Sequence, residues 1–73
     1  MSTAAIVVIG DEILSGKVVD SNSPWLASQL RARGVDLLRI FVVPDTLDAI
    51  AQTVAQASAM ADHVFTTGGV GPT

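Results

Sequence analysis

Cysteine is absent from this sequence of 73 residues. No disulfide and no thiolate metal site can therefore brace it, although chains this short usually need a staple, an oligomer or an unusually ideal core. Charge is also sparse. Only 15% of residues are charged against 49% apolar, which excludes a disordered chain and implies extensive burial. The four basic residues, Lys17, Arg31, Arg33 and Arg39, form no stripe, and the net charge is −3. Both points argue against a nucleic-acid surface. No apolar run approaches the roughly 18 residues of a membrane span. The apolar run near the start has no basic residue before it and turns acidic at Asp11 and Glu12, unlike a secretory signal. These absences predict a cytoplasmic protein that binds neither nucleic acid nor membrane.

What is present alternates. Residues 4–9, rich in Ile and Val and ending at Gly10, read as a buried strand. Residues 11–23 form a polar stretch containing glycine. Ser23 followed by Pro24 predicts a helix start, with serine as N-cap and proline first in the helix. Leu26 and Leu30 share a face beside Trp25, and Arg31, Arg33 and Gly34 predict the helix end. Residues 35–43, "VDLLRIFVV", read as a second strand ended by Pro44. Asp45 or Thr46 caps the next helix, whose Leu47, Ile50, Ala51, Val54 and Ala57 recur at helical spacing. Residues 63–66 read as a third strand, and a glycine loop follows. Alternating strands and helices predict an α/β fold with a parallel sheet and right-handed crossovers.

Ligands of such sheets bind outside the carboxyl ends of the strands. Gly10-Asp11-Glu12, Pro44-Asp45-Thr46 and Thr67-Gly68-Gly69 are expected to converge there. Gly68, Gly69 and Gly71 suit either a cradle of backbone N–H groups for phosphate or a tight strand-to-helix turn. They match neither the dinucleotide fingerprint nor a Walker loop. Asp11, Glu12, Asp20 and Asp45 are candidate oxygen ligands for a hard cation such as Mg²⁺. Each also has a plain reading, Asp45 as a helix cap and Asp11 and Glu12 as solvated loop residues. Ser15-Gly16 is a turn candidate, and Asn22 either bonds a ligand or organises the chain ahead of the helix. His63, alone and without a nucleophile partner, reads as structural. Trp25 either stacks on a base or packs, and Leu26 and Leu30 beside it favour packing. No serine has a nucleophile signature.

Taken together, "GDEILSGKVVDSNSPWLASQL" at 10–30, "VVPDT" at 42–46 and "TTGGVGPT" at 66–73 resemble the MoaB/Mog-type molybdopterin-binding domain, in the branch of CinA-like competence/damage-inducible proteins. The resemblance spans nearly the whole chain, with three motifs in family order and spacing. It implies a three-layer α/β/α fold with a mainly parallel sheet. It also implies that residues 1–73 are the amino-terminal part of a single, longer domain, the expected helix after the glycine loop being missing.

The same resemblance implies a ligand, molybdopterin or an adenine nucleotide, held with Mg²⁺ or another divalent metal by a homo-oligomer. Asp45 matches the first of the family's two aspartates and is the implied catalytic and metal-binding residue; the second lies beyond Thr73. Gly10, Asp11, Glu12, Ser15, Gly16, Asp20, Asn22, Thr67, Gly68, Gly69, Gly71, Pro72 and Thr73 make up the implied ligand-binding set. Two activities share these motifs: hydrolysis of nucleotide pyrophosphates such as ADP-ribose, and adenylyl transfer to molybdopterin in molybdenum cofactor biosynthesis. A binding module without turnover is the third reading.

Overall fold

The computed structural model describes residues 2–68. Gly69, Gly71, Pro72 and Thr73 of the expected site lie outside the described residues. The order of elements is β1 (Thr3–Ile9), α1 (Asp11–Leu14), α2 (Asn22–Ala32), β2 (Asp36–Val43), α3 (Leu47–Met60) and β3 (His63–Gly68). The strands pair in parallel in the order β2-β1-β3. This is the α/β fold that alternation predicts, with strands within a residue or two of the expected bounds.

Winding from β1 to one side for β2, then back across β1 for β3, puts the two crossover helices on opposite faces. The core follows. Ala4, Ile6 and Val8 meet Leu30 and Leu26 of α2 on one face. Ala5, Val7 and Ile9 meet Ala57, Ile50 and Val54 of α3 on the other. The central strand is thus buried on both faces, which is why it reads as an unbroken apolar run. Ile6 and Val7 are fully buried, each contributing about 1.5–3 kcal/mol by removal from water. The core face of α3 is narrower than its periodicity predicts, because Leu47 and Ala51 are exposed.

Local chemistry explains the ends of α2. Gly34 takes a positive φ of 75°. Its N–H donates to Arg31 O (3.0 Å), and the Val35 N–H donates to Leu30 O (2.9 Å). This is a Schellman stop, closed by apolar contact between Val35 and Leu30 in one cluster. The start differs from expectation. Asn22 begins the helix, Ser21 stands at the cap position, and neither Ser21 nor Ser23 caps with its side chain. One oxygen of Asp20 instead accepts the N–H groups of Asn22 and Ser23, both at 3.1 Å. A carboxylate just ahead of the helix satisfies two orphan donors at once, and Pro24 in the first turn loses nothing by lacking one.

A bulge at the start of β2 pairs Ala4 with Leu37 and Ala5 with Arg39, leaving Leu38 as the extra residue. The insertion shifts the parity of β2, so that Phe41 and Val43 join the α3 side. Leu38, Ile40 and Val42 of this strand remain largely exposed.

Candidate functional site

At the carboxyl edge of the sheet the three strand ends stand level, with Ile9 opposite Val43 on one side and Gly68 on the other. The chain winds away from β1 in both directions, so the gap between β1 and β3 is the switch point where such sheets hold ligands. A cleft of about 200 Å³ opens there. Val8, Ile9, Thr67 and Gly68 form its floor, and Glu12, Ile13 and residues 18–22 form its wall.

α1, a single helical turn that its four residues do not announce, begins that wall with Glu12 and Ile13. The Glu12 carbonyl accepts the Ser15 hydroxyl (3.3 Å) and the N–H groups of Lys17 (3.0 Å) and Val18 (3.1 Å). This anchor returns the chain over the cleft. The Glu12 carboxylate stands where a side chain at residue 10 would be, with Oε1 2.7 Å from an ideal Cβ, so Gly10 makes room for it. On the far side Gly68 ends β3 with φ of 81°, and a Cβ there would fall on the Ile9 carbonyl oxygen. Only glycine combines that conformation with that approach.

The expected residues divide into groups. Glu12, Asp20, Asn22, Thr67 and Gly68 line the cleft together. Ser15 and Gly16 stand outside it, closing α1 as the turn read from the sequence. Gly10 is buried, does not line it, and continues the ladder, its N–H donating to Val43 O (3.0 Å). Asp11 and Asp45 are not among the lining residues and are joined to each other, the Asp45 N–H donating to Asp11 Oδ1 at 3.2 Å. The capping role for Asp45 does not hold: Thr46 occupies the cap position of α3, with no side-chain cap hydrogen bond. Ile13, Val18, Val19 and Ser21 also line the cleft and were missed. For Ile13, Val18 and Val19, being apolar within a polar stretch was the only signal, and Ser21 had none.

The described wall carries two carboxylates and no basic side chain. Acceptors of this kind suit hydroxyl or amino donors of a ligand; a phosphate beside them needs a cation or N–H donors. Among the described residues no three acidic, histidine or cysteine side chains gather closely enough to cage a metal. A divalent ion here would fit the Mg²⁺ habit of one or two carboxylates plus ligand phosphates.

Trp25 departs from expectation. It is 64% exposed and lines a separate apolar groove with Leu26, Gln29, Leu30, Arg33 and Phe65. His63 is an exposed residue at the start of β3. No helix among the described residues is long and apolar enough to cross a membrane.

Residues 5–73 match the family described as probable molybdopterin binding domain. A CinA-like protein of Deinococcus deserti is 44% identical over 73 residues, covering 100% of this chain and 18% of its own length. A probable FAD synthase of Caenorhabditis briggsae is 52% identical over 71 residues, covering 97% of this chain and 14% of its own. The crystal structure of CinA from Thermoplasma acidophilum, a protein of unknown function, superposes with a TM-score of 0.94 at 36% identity. That match covers 99% of this chain and 43% of the other. The chain thus spans less than a third of the length of the curated relatives it matches here, 14% and 18% of the two just named.

Proposed function

Because the chain belongs to the probable molybdopterin binding domain family, we propose that its cleft binds an adenine nucleotide or molybdopterin and that the full-length protein hydrolyses nucleotide pyrophosphates of the ADP-ribose type with Mg²⁺. One observation carries this reading: the open cleft lies at the switch point between β1 and β3, lined by the carboxyl ends of both strands and by the chain that follows β1. The likeness to CinA and to a CinA-like protein supports this branch of the family.

In this reading the acceptor-rich wall, Glu12 and Asp20 with Asn22, takes hydroxyl groups of a ribose or amino groups of a base or pterin. At about 200 Å³ the described cleft is below the common range for whole ligands, about 300–1,000 Å³, and suits one part of the molecule. The phosphates then face Thr67 and Gly68. Asp45, which is not the cap of α3, would hold Mg²⁺, and the ion would supply neutralisation of charge on the pyrophosphate oxygens.

The test is release of AMP from ADP-ribose by full-length protein with Mg²⁺. Loss of a metal-holding carboxylate removes several kcal/mol of transition-state stabilisation, so Asp45→Asn is expected to lower the rate about 100-fold or more. Unchanged turnover in that variant sinks the assignment of Asp45. Adenylyl transfer is the second reading, favoured by the probable FAD synthase relative, since FAD joins a flavin to AMP through a pyrophosphate. It requires ATP and an acceptor such as molybdopterin, and product formed only with both present would replace hydrolysis. If neither reaction occurs and ADP-ribose still raises the melting temperature, the domain is a binding module.

A further inference from the structure

Asp11 and Asp45 are 34 residues apart and belong to different loops. The pairing of β1 with β2 continues past the strands through the Gly10 N–H and Val43 O (3.0 Å). Pro44 comes next and has no N–H to carry it further. The following donor, the Asp45 N–H, is taken by the Asp11 carboxylate at 3.2 Å. One residue on, the Thr46 N–H turns back to Pro44 O at 2.9 Å, closing a three-residue turn with Asp45 at its centre. The Asp45 backbone is therefore held from both sides, one hold being local and the other supplied by Asp11.

We propose that Asp11 is a positioning residue: its carboxylate sets the Asp45 loop by accepting the Asp45 N–H, and it acts on the reaction only through Asp45. The proposal rests on the hydrolytic reading above for its kinetic arm alone. It separates the neighbours of the Gly-Asp-Glu stretch by role. Glu12 lines the cleft, while Asp11, outside the lining, spends an oxygen on the chain itself. What Asp11 supplies is an acceptor at a fixed place, not a charge. An amide oxygen at the same place does the same work, and a methyl group does not.

The experiment compares Asp11→Ala, Asp11→Asn and Asp45→Asn in the full-length protein. A single exposed hydrogen bond contributes little to global stability, so all three are expected to melt close to wild type. With ADP-ribose and Mg²⁺, Asp11→Ala is expected to lower kcat by roughly 10- to 100-fold, the effect of losing an outer partner of a ligating group, with KM little changed. Asp11→Asn is expected to restore most of that rate. Asp11→Ala added to Asp45→Asn is expected to cost nothing further, because the two act as a unit. Hydrogen exchange at the Asp45 amide supplies a readout independent of turnover: protected in wild type and Asp11→Asn, fast in Asp11→Ala. If Asp11→Asn is as impaired as Asp11→Ala, the carboxylate acts by its charge and the proposal is overturned. Equal exchange of the Asp45 amide in wild type and Asp11→Ala also overturns it. If wild type releases no AMP, the hydrolytic reading fails, and the amide measurement alone decides whether Asp11 sets the loop.

Discussion

Thr3 and Asp62 bind each other reciprocally across 59 residues. The Thr3 N–H donates to Asp62 Oδ2 (3.1 Å), and the Asp62 N–H donates to Thr3 Oγ1 (3.0 Å). Asp62 lies between α3 and β3, next to the pairing of Ala4 with His63. The pair fixes the amino end of the β1–β3 register, while Ile9 and Gly68 meet at the other end, beside the cleft. The switch point is thus set from the opposite edge of the sheet.

Removing one of the two bonds, the first by Asp62→Ala or the second by Thr3→Val, is expected to cost about 1 kcal/mol, the net worth of an ordinary hydrogen bond. The double variant is expected to cost less than the sum, since each substitution also breaks up a shared arrangement. Chemical denaturation of the four proteins checks this, and strict additivity would show that the two bonds are independent.

The cap of α2 provides a second contrast. Asp20→Ala strips the acceptor from two helix-start N–H groups and is expected to destabilise by about 1 kcal/mol. Ser23→Ala is expected to be neutral or slightly stabilising. Ser23 is 2% exposed, and its hydroxyl finds no partner among the described residues. Removing a buried, unsatisfied group relieves a desolvation cost. Urea midpoints measured side by side decide it; a larger loss for Ser23→Ala would restore serine as the cap.

Two glycines with positive φ are expected to tolerate a methyl group differently. At Gly34, φ 75°, nothing lies within 4 Å of the new Cβ, so Gly34→Ala carries backbone strain alone, about 1–2 kcal/mol. At Gly68, φ 81°, the Cβ also meets the Ile9 carbonyl. Gly68→Ala is therefore expected to lose more, roughly 3 kcal/mol when strain and displacement of the strand end combine. Melting temperatures of the two variants measure the difference, and equal shifts would mean that β3 moves away freely.

Much of the architecture was legible because it is written in neighbouring residues. The Ile and Val run of β1 and the Arg-Gly stop of α2 depend on contacts a few residues apart, as does the periodic face of α3. Propensity and periodicity report such contacts directly. The start of α2 was misread because Asp20, Ser21 and Ser23 all carry cap-forming side chains within four positions. Local chemistry ranks them nearly equally. The turn of helix in α1 was hidden for a related reason: four residues hold too little periodic signal to stand out from a polar loop.

The sequence by itself determined the alternation of strands and helices, the burial of β1 on both faces and the kinds of groups available at the strand ends. Only the tertiary structure decided which of those groups meet. It brought Glu12, Asp20, Asn22 and Thr67 around one cleft, joined Asp11 to Asp45, and left Trp25 exposed. The bulge at Leu38 shifted which side of β2 joins the α3 core. Each outcome depends on how distant segments register against one another across the sheet. That register comes from packing the whole core at once, and no window of neighbouring residues contains it.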